Sequence, residues 1–292
     1  MTKYLQLIRP QQWAKNGFVF LPIFFNGQLL NTVKLCSCAV AFLAFSLAAS
    51  SVYCFNDICD AESDRLHPDK NRRPVASGAI SRNRGFLVMA VCLALSMLVS
   101  FILGGEQRFY LMALTGFYFL MNIAYCLWLK RYSIIDVMVI STGFVLRIVV
   151  GGVASDVWLS EWIVIMTFLL ALFLAFAKRR DDVILYQNTG IALRKHTNRY
   201  NPEFLNQVMT VVSTITIIVY IIYTLTPDVM ERFHSRYVYL TAIFVLTGII
   251  RYLQLTIVDL KSGSPTKIFL KDRFIQCCII GWLITFLIII YL

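Results

Sequence analysis

The feature that most constrains this chain is a series of apolar stretches, each about 19 residues long, the length that carries a helix across a bilayer. Nine can be marked, centred near Phe20, Phe45, Leu95, Phe119, Phe144, Phe168, Ile217, Phe244 and Leu283. A backbone in lipid must satisfy its hydrogen bonds internally, so such runs fold as helices. Hydrophobic residues fill 59% of the 292 positions and charged ones 15%, and a soluble fold has nowhere to hide that much apolar surface. The expectation is an all-α polytopic membrane protein, a single domain over residues 1–292 with about nine transmembrane helices and no soluble domain attached. The first stretch is the weakest, since Pro22, Asn26 and Gly27 interrupt it; it reads as a broken or interfacial helix. Two connections are long, from Asp57 to Gly85 and from Lys178 to Glu203. The opening residues, with Lys3, Arg9 and Lys15, do not read as a cleavable signal. The eight cysteines, Cys36/Cys38 and Cys277/Cys278 among them, lack zinc-site spacing and read as apolar filler.

Charge fixes the expected orientation. With the N-terminus inside, 22 Lys and Arg residues fall on the inner side. Only Lys34, Arg108, Arg232 and Arg236 fall outside, and Arg147 lies within a span. The positive-inside rule then places the N-terminus and the polar loops in the cytoplasm, with the chain in the plasma (inner) membrane. A polar cavity of the bundle would face the same side. The net charge of +11 is thereby a matter of topology and calls for no nucleic acid.

Chemistry concentrates where the second stretch ends, in Asn56-Asp57-Ile58-Cys59-Asp60-Ala61-Glu62-Ser63-Asp64. At about 100° per residue, Asn56, Asp57, Asp60 and Asp64 share one helical arc and Glu62 points away. Acids at a helix C-terminus oppose the macrodipole, and like charges one turn apart repel. A Mg²⁺ ion, which favours hard oxygen ligands and keeps phosphates in its shell, relieves both. Asn56, Asp57, Asp60 and Asp64 are the candidate metal ligands, and the three aspartates the candidate catalytic residues. The alternative is a solvated helix end with ordinary acids. Beyond it, Arg65-Leu66-His67-Pro68-Asp69-Lys70-Asn71-Arg72-Arg73-Pro74 and Val75-Ala76-Ser77-Gly78 form a basic loop shaped by Pro and Gly. Lys70 and Arg73 beside a metal cage suit a polyphosphate; Arg82 and Arg84 read as topology alone.

The pattern N-D-x-x-D-x-x-x-D followed by H-P-x-x-x-R-x-P-x-x-x-G resembles the first aspartate-rich motif of the UbiA superfamily of intramembrane prenyltransferases. The resemblance covers essentially the whole chain. It implies a helical membrane fold and a Mg²⁺-bound diphosphate at these residues. Members of that superfamily also carry a second D-x-x-x-D after the sixth span. Here that position holds Lys178-Arg179-Arg180-Asp181-Asp182, with no Asp four positions from either acid. Cations in place of carboxylates suit a phosphate held directly.

That departure, with Arg9-Pro10-Gln11-Gln12-Trp13-Ala14-Lys15-Asn16, Leu129-Lys130-Arg131, Gly143-Phe144-Val145-Leu146-Arg147 and Ala175-Phe176-Ala177-Lys178-Arg179-Arg180, resembles the decaprenyl-phosphate phosphoribosyltransferase branch. The implied reaction moves 5-phosphoribose from phosphoribosyl pyrophosphate to a polyprenyl phosphate, the lipid phosphate attacking the anomeric carbon and Mg²⁺-pyrophosphate leaving. Lys130, Arg131, Lys178, Arg179 and Arg180 would bind substrate. A phosphate monoester is anionic near neutrality, so orientation and electrostatics, not a strong base, carry such a reaction. The rival readings are transfer from a prenyl diphosphate to an aromatic or lipid acceptor and, from another class, a transporter. A transporter predicts ionisable groups spread through the bilayer.

Arg147 is the one charge deep in a span, where cost implies function. It shares a stripe with Asp136, Gly143 and Gly151, though Asp136 is about 16 Å away along the axis. Its partner is either a substrate phosphate or an acid on another helix. Asn122 and Tyr125 read equally as cavity or packing groups, with Tyr125 carried as a substrate-contact candidate. Lys15, beside Trp13 and Asn16, either meets phosphate or snorkels. Asn201 and Pro202 read as an N-cap and first helical residue. The segment Ser262-Gly263-Ser264-Pro265-Thr266 reads as a turn, and His67, His196 and His234 show no catalytic or metal spacing. A homo-oligomeric state is compatible with the sequence, which shows no interface for it.

Overall fold

A computed structural model describes residues 2–65, 70–189, 199–260, 268–269 and 271–291. The expected contacts of His67, Pro68, Asp69, Arg194, Lys195, His196 and the 261–267 segment lie outside those residues. The described chain is helical, with no strand among the described residues. Among the described residues, eight helices are long and apolar enough to cross a membrane: α3 (Thr32–Cys59), α5 (Arg82–Ser100), α6 (Gln107–Leu127), α7 (Ile135–Ser155), α8 (Glu161–Thr189), α9 (Pro202–Leu225), the segment Tyr237–Ile257 that ends in α11 (Ala242–Ile257), and a last helix at Arg273–Tyr291. Short helices α1 (Thr2–Ile8), α2 (Leu21–Phe25), α4 (Ala61–Arg65) and α10 (Pro227–Arg232) complete the set.

The first stretch is not a spanning helix. Pro10–Phe20 is a 3-10 segment entered through Arg9 in the left-handed region, and α2 follows it for one short turn, with Pro22 near its start. Proline removes a backbone donor at each point, which is why the apolar run breaks. A second difference concerns Lys178, where sequence reasoning begins a long loop. α8 instead continues to Thr189. No Pro or Gly interrupts it before Gly190, and Arg179 Nη1 to Asp182 Oδ2 at 2.8 Å supports its last turns. The expected cap at Asn201 is present: its side-chain oxygen accepts from the Phe204 amide at 2.6 Å, with Pro202 at the first helical position.

The chain forms two compact units. One comprises residues 1–130 and 142–159, the other 131–141 and 160–292, so the division falls inside α7. In the first, α3 packs on α5 through a face of small residues: Ala41, Ala44, Ala48 and Ser51 are fully buried. Small side chains let helices approach, and hydroxyls then bond across. Ser96 Oγ donates to the Ala44 carbonyl at 2.7 Å and Ser51 Oγ to that of Met89 at 3.0 Å. Gly151 on α7 admits the 3-10 segment, for a Cβ there would collide with the Val19 carbonyl.

In the second unit, α8, α9 and α11 bury Phe173, Leu205, Met209, Ile249 and Tyr252. Trp282 Nε1 donates to Tyr220 Oη at 2.7 Å, and Tyr220 Oη meets Thr241 Oγ1 at 2.7 Å, tying α9, the Tyr237–Ile257 span and the last helix together. Large side chains such as Leu87, Leu98, Leu120, Ile250 and Ile280 are more than half exposed, as expected of helices whose outer faces meet lipid.

Candidate active site

α3 ends at Cys59 with Asp60 as its C-cap, and α4 resumes at Ala61. The i→i−4 pattern nevertheless runs through the break: the Asp60 amide donates to Asn56 at 2.9 Å and the Asp64 amide to Asp60 at 2.8 Å. Asp57 and Asp64, seven residues apart, therefore meet the same cation. Arg73 Nη1 lies 2.6 Å from Asp64 Oδ2 and 3.5 Å from Asp57 Oδ1. Lys130 Nζ lies 2.6 Å from Asp60 Oδ1. Asn56 Oδ1 accepts from Cys126 Sγ at 3.4 Å. Glu62 is exposed and pairs with Arg82 at 2.8 Å.

The loop that delivers Arg73 is folded by its own sequence. The Ser77 amide donates to the Arg73 carbonyl at 2.9 Å, and the Ile80 amide to Pro74 at 2.9 Å. Gly78 takes a positive φ of 74°, open to glycine at little cost. Val75 and Ile80 then bury against Leu7, Cys54 and Ile58. Arg65 Nε ties the loop back by donating to the Ala76 carbonyl at 3.0 Å.

Arg9 is the functional candidate that sequence reasoning missed. Its Nη2 pairs with Asp57 Oδ1, and its guanidinium carbon stands 5.4 Å from the Tyr53 ring centroid. The available signal was its place at the head of the Arg-Pro-Gln-Gln-Trp segment. The periodicity argument that grouped the aspartates does not reach a cation 48 residues earlier.

The donor set fits a magnesium ion. Among the described residues no three His, Cys, Asp or Glu side chains stand together at metal-ligand spacing; the carboxylates are turned onto Arg9, Arg73 and Lys130 instead. Yet Asp57 Oδ2 is buried with no hydrogen-bond partner, a lone carboxylate oxygen in search of a donor or cation. Mg²⁺ commonly takes one or two carboxylates and completes its shell with water and phosphate oxygens, so three assembled protein ligands are not needed.

Arg147 is held by neutral groups of the first unit. It is 5% exposed. Nε donates to Asn16 Oδ1 at 2.8 Å, Nη1 to the Gly143 carbonyl at 2.5 Å and Nη2 to Tyr118 Oη at 3.5 Å. Its guanidinium carbon lies 4.9, 5.4 and 5.2 Å from the ring centroids of Phe45, Tyr118 and Phe144. Neutral groups and π faces thus hold a buried cation, an arrangement strong where water is excluded. Asn16, also bonded to Ser46 Oγ at 2.8 Å, is buried with it. Asn122 donates to its own helix, at the Tyr118 carbonyl, 2.8 Å away.

In the second unit, the basic run on α8 divides. Lys178 is exposed. Arg179, 2% exposed, gives Nε to Asp136 Oδ2 at 2.5 Å and Nη1 to Asp182 Oδ2 at 2.8 Å. Arg180, 4% exposed, gives Nε to Asn206 Oδ1 at 2.6 Å and Nη1 to the Thr256 carbonyl at 2.7 Å. Both arginines, expected to contact substrate, are buried here, with donors given to Asp136, Asn206 and Thr256 on other helices and to Asp182 on α8 itself. Lys15, Lys70 and Tyr125 are half-buried in the first unit, and Arg131 is exposed in the second.

Comparison with known proteins agrees with this architecture. The model of the UbiA prenyltransferase family matches residues 20–278. A protein of Mycobacterium tuberculosis named decaprenyl-phosphate phosphoribosyltransferase is 31% identical over 288 residues, covering 96% of this chain and 92% of that protein. Its namesake in Corynebacterium glutamicum is 28% identical, covering 99% and 86%. Among solved structures, a UbiA homolog from Archaeoglobus fulgidus bound to GPP and Mg²⁺ superposes with a TM-score of 0.72 at 17% identity, covering 99% of this chain and 100% of that one.

Proposed function

The chain belongs to the UbiA prenyltransferase family, and we propose that this multi-pass membrane transferase moves 5-phosphoribose from phosphoribosyl pyrophosphate to a polyprenyl phosphate with Mg²⁺. The observation that carries the reading is the near full-length similarity to proteins named decaprenyl-phosphate phosphoribosyltransferase. The carboxylate cluster ringed by Arg9, Arg73 and Lys130 supports it. Mg²⁺ bound to other members of the fold supports the metal. The count of inner to outer basic residues supports a cytoplasmic site in the plasma membrane.

Asp57, with its spare buried oxygen, and Asp60 and Asp64 would hold the ion. Bound there, Mg²⁺ would neutralise the diphosphate and make it a better leaving group. Arg73 and Lys130, each paired with the carboxylates, and Lys70 would bind the diphosphate oxygens. Lys178, exposed on α8, would bind phosphate as well. The lipid phosphate oxygen forms the new bond to the ribose anomeric carbon while the bond from that carbon to pyrophosphate breaks. No side chain need remove a proton, since the attacking monoester is already an anion. What the protein contributes is bringing two anions together and orienting them, work for fixed cations.

The test is incubation of purified protein with Mg²⁺ and labelled phosphoribosyl pyrophosphate, with and without polyprenyl phosphate. Lipid-linked phosphoribose that needs both components is expected. Its absence, with transfer from a prenyl diphosphate to an aromatic acid instead, would establish the prenyltransferase alternative.

A further inference from the structure

Arg9 sits on the carboxylate that has the spare oxygen, and the chain has gone to some trouble to put it there. Its backbone is left-handed, φ 52° and ψ 59°, an uncommon choice for a residue with a side chain. A single hydroxyl holds the turn from both sides. Ser50 Oγ donates to the Ile8 carbonyl at 2.8 Å and accepts from Trp13 Nε1 at 2.9 Å. Ser50 is itself fully buried on α3. Asp57 lies seven residues further on, two turns along the same face of that helix, and Tyr53 between them supplies the ring under the guanidinium. The side chain of Asp57 is 0% exposed and that of Arg9 18%, so the cation has room to withdraw and the carboxylate has none.

We propose that Arg9 is a stand-in counter-ion: without metal it neutralises Asp57, and a divalent ion arriving at Asp57 displaces it onto the diphosphate, with Ser50 the positioning residue that keeps it within reach of both. The inference rests on the metal-diphosphate reading of this cluster. Its physical basis is that a guanidinium and a divalent ion on one carboxylate repel each other strongly where water is scarce, while a diphosphate anion beside the ion attracts the released cation. Metal alone therefore binds against Arg9, and metal with diphosphate binds with its help.

Two binding measurements on the purified full chain read this directly. Free Mn²⁺, as a paramagnetic substitute for Mg²⁺, is followed by electron paramagnetic resonance. Radiolabelled inorganic pyrophosphate binding is then measured at saturating Mn²⁺. Arg9→Gln is expected to bind Mn²⁺ alone about tenfold more tightly than the wild type and Mn²⁺-pyrophosphate about tenfold more weakly (each near 1.4 kcal/mol). Simple damage to the fold weakens both. Ser50→Ala, which keeps the charge and loosens the turn, is expected to shift both affinities in the same two directions by a smaller factor. Mn²⁺ affinity unchanged or lowered in a folded Arg9→Gln, with wild-type pyrophosphate binding still lost in Asp60→Ala, overturns the stand-in role and leaves the metal-diphosphate site intact. Wild-type protein that binds neither Mn²⁺ nor Mn²⁺-pyrophosphate overturns that reading, and the inference with it.

Discussion

The two charged clusters both pair aspartates with cations and differ in what those cations can do. Around Asp57, Asp60 and Asp64 the cations Arg9, Arg73 and Lys130 have side chains 18%, 24% and 26% exposed. Around Asp136 and Asp182 the cation is Arg179, 2% exposed, facing a carboxylate at 0%. A cation at the edge of water can leave its partner for an incoming anion. One sealed against a buried acid cannot leave without exposing two unpaired charges, a cost far above that of any surface pair. The first cluster is built for exchange and the second for holding helices.

Asp60→Ala tests that contrast most severely. Phosphoribosyl transfer is expected to fall by about 10³-fold or more, with thermal unfolding of the purified protein almost unchanged. Full activity in a folded variant would remove the metal-site reading. Asp136→Ala should do the reverse. It leaves Arg179 buried beside Asp182 alone, and breaking such a pair costs about 3–5 kcal/mol, seen as a large drop in unfolding temperature while the folded fraction keeps its turnover. Loss of activity without loss of stability would move Arg179 into the chemistry and collapse the distinction.

Lys130→Ala against Lys178→Ala sharpens it further. The first should raise the KM for phosphoribosyl pyrophosphate by roughly 10-fold, a charged hydrogen bond's worth, and the second should act on the lipid phosphate instead. Equal effects on the same substrate would show that the two lysines do not divide the substrates between them.

A smaller effect concerns Asp272, outside the last span. Its carboxyl is held below the usual range chiefly by a hydrogen bond from Arg251, 2.8 Å away, against some burial. The stability this lends is fully present above about pH 4, where the unfolded carboxylate ionises. It is lost as pH falls through the lower folded-state value. Asp272→Asn should flatten that acid limb of a stability profile. Smallest of all, Glu62→Ala removes an exposed pair with Arg82 and should change stability by no more than about 1 kcal/mol and leave turnover alone.

Length and periodicity carried the fold a long way. Eight of the nine apolar stretches form helices long and apolar enough to cross a membrane, and the Asn201-Pro202 start of α9 was readable because a cap is local chemistry. The same local rules explain why the first stretch breaks at its prolines. Lys178 to Thr189 misled because charge ends an apolar window without ending a helix. At the site, the aspartates were legible as one arc because a single helix end carries them. Their counter-ions were not, since Arg9, Arg73 and Lys130 arrive from three separate segments. Arg147 was legible as important, but its partners Asn16 and Tyr118 lie 131 and 29 residues away, beyond any pattern within α7.

The cage around Arg147 has a consequence for how the protein is made. A lone arginine mid-span opposes the entry of a helix into the bilayer by about 2.5–3.5 kcal/mol. Every group that receives this one, Asn16, Phe45, Tyr118, Gly143 and Phe144, precedes it in the chain. Synthesis from the N-terminus therefore delivers the whole receptor for the charge before the charge itself emerges, and α7 meets a prepared seat instead of bare lipid. A gene rearranged to translate α7 first would ask the insertion machinery to accept that arginine unaided.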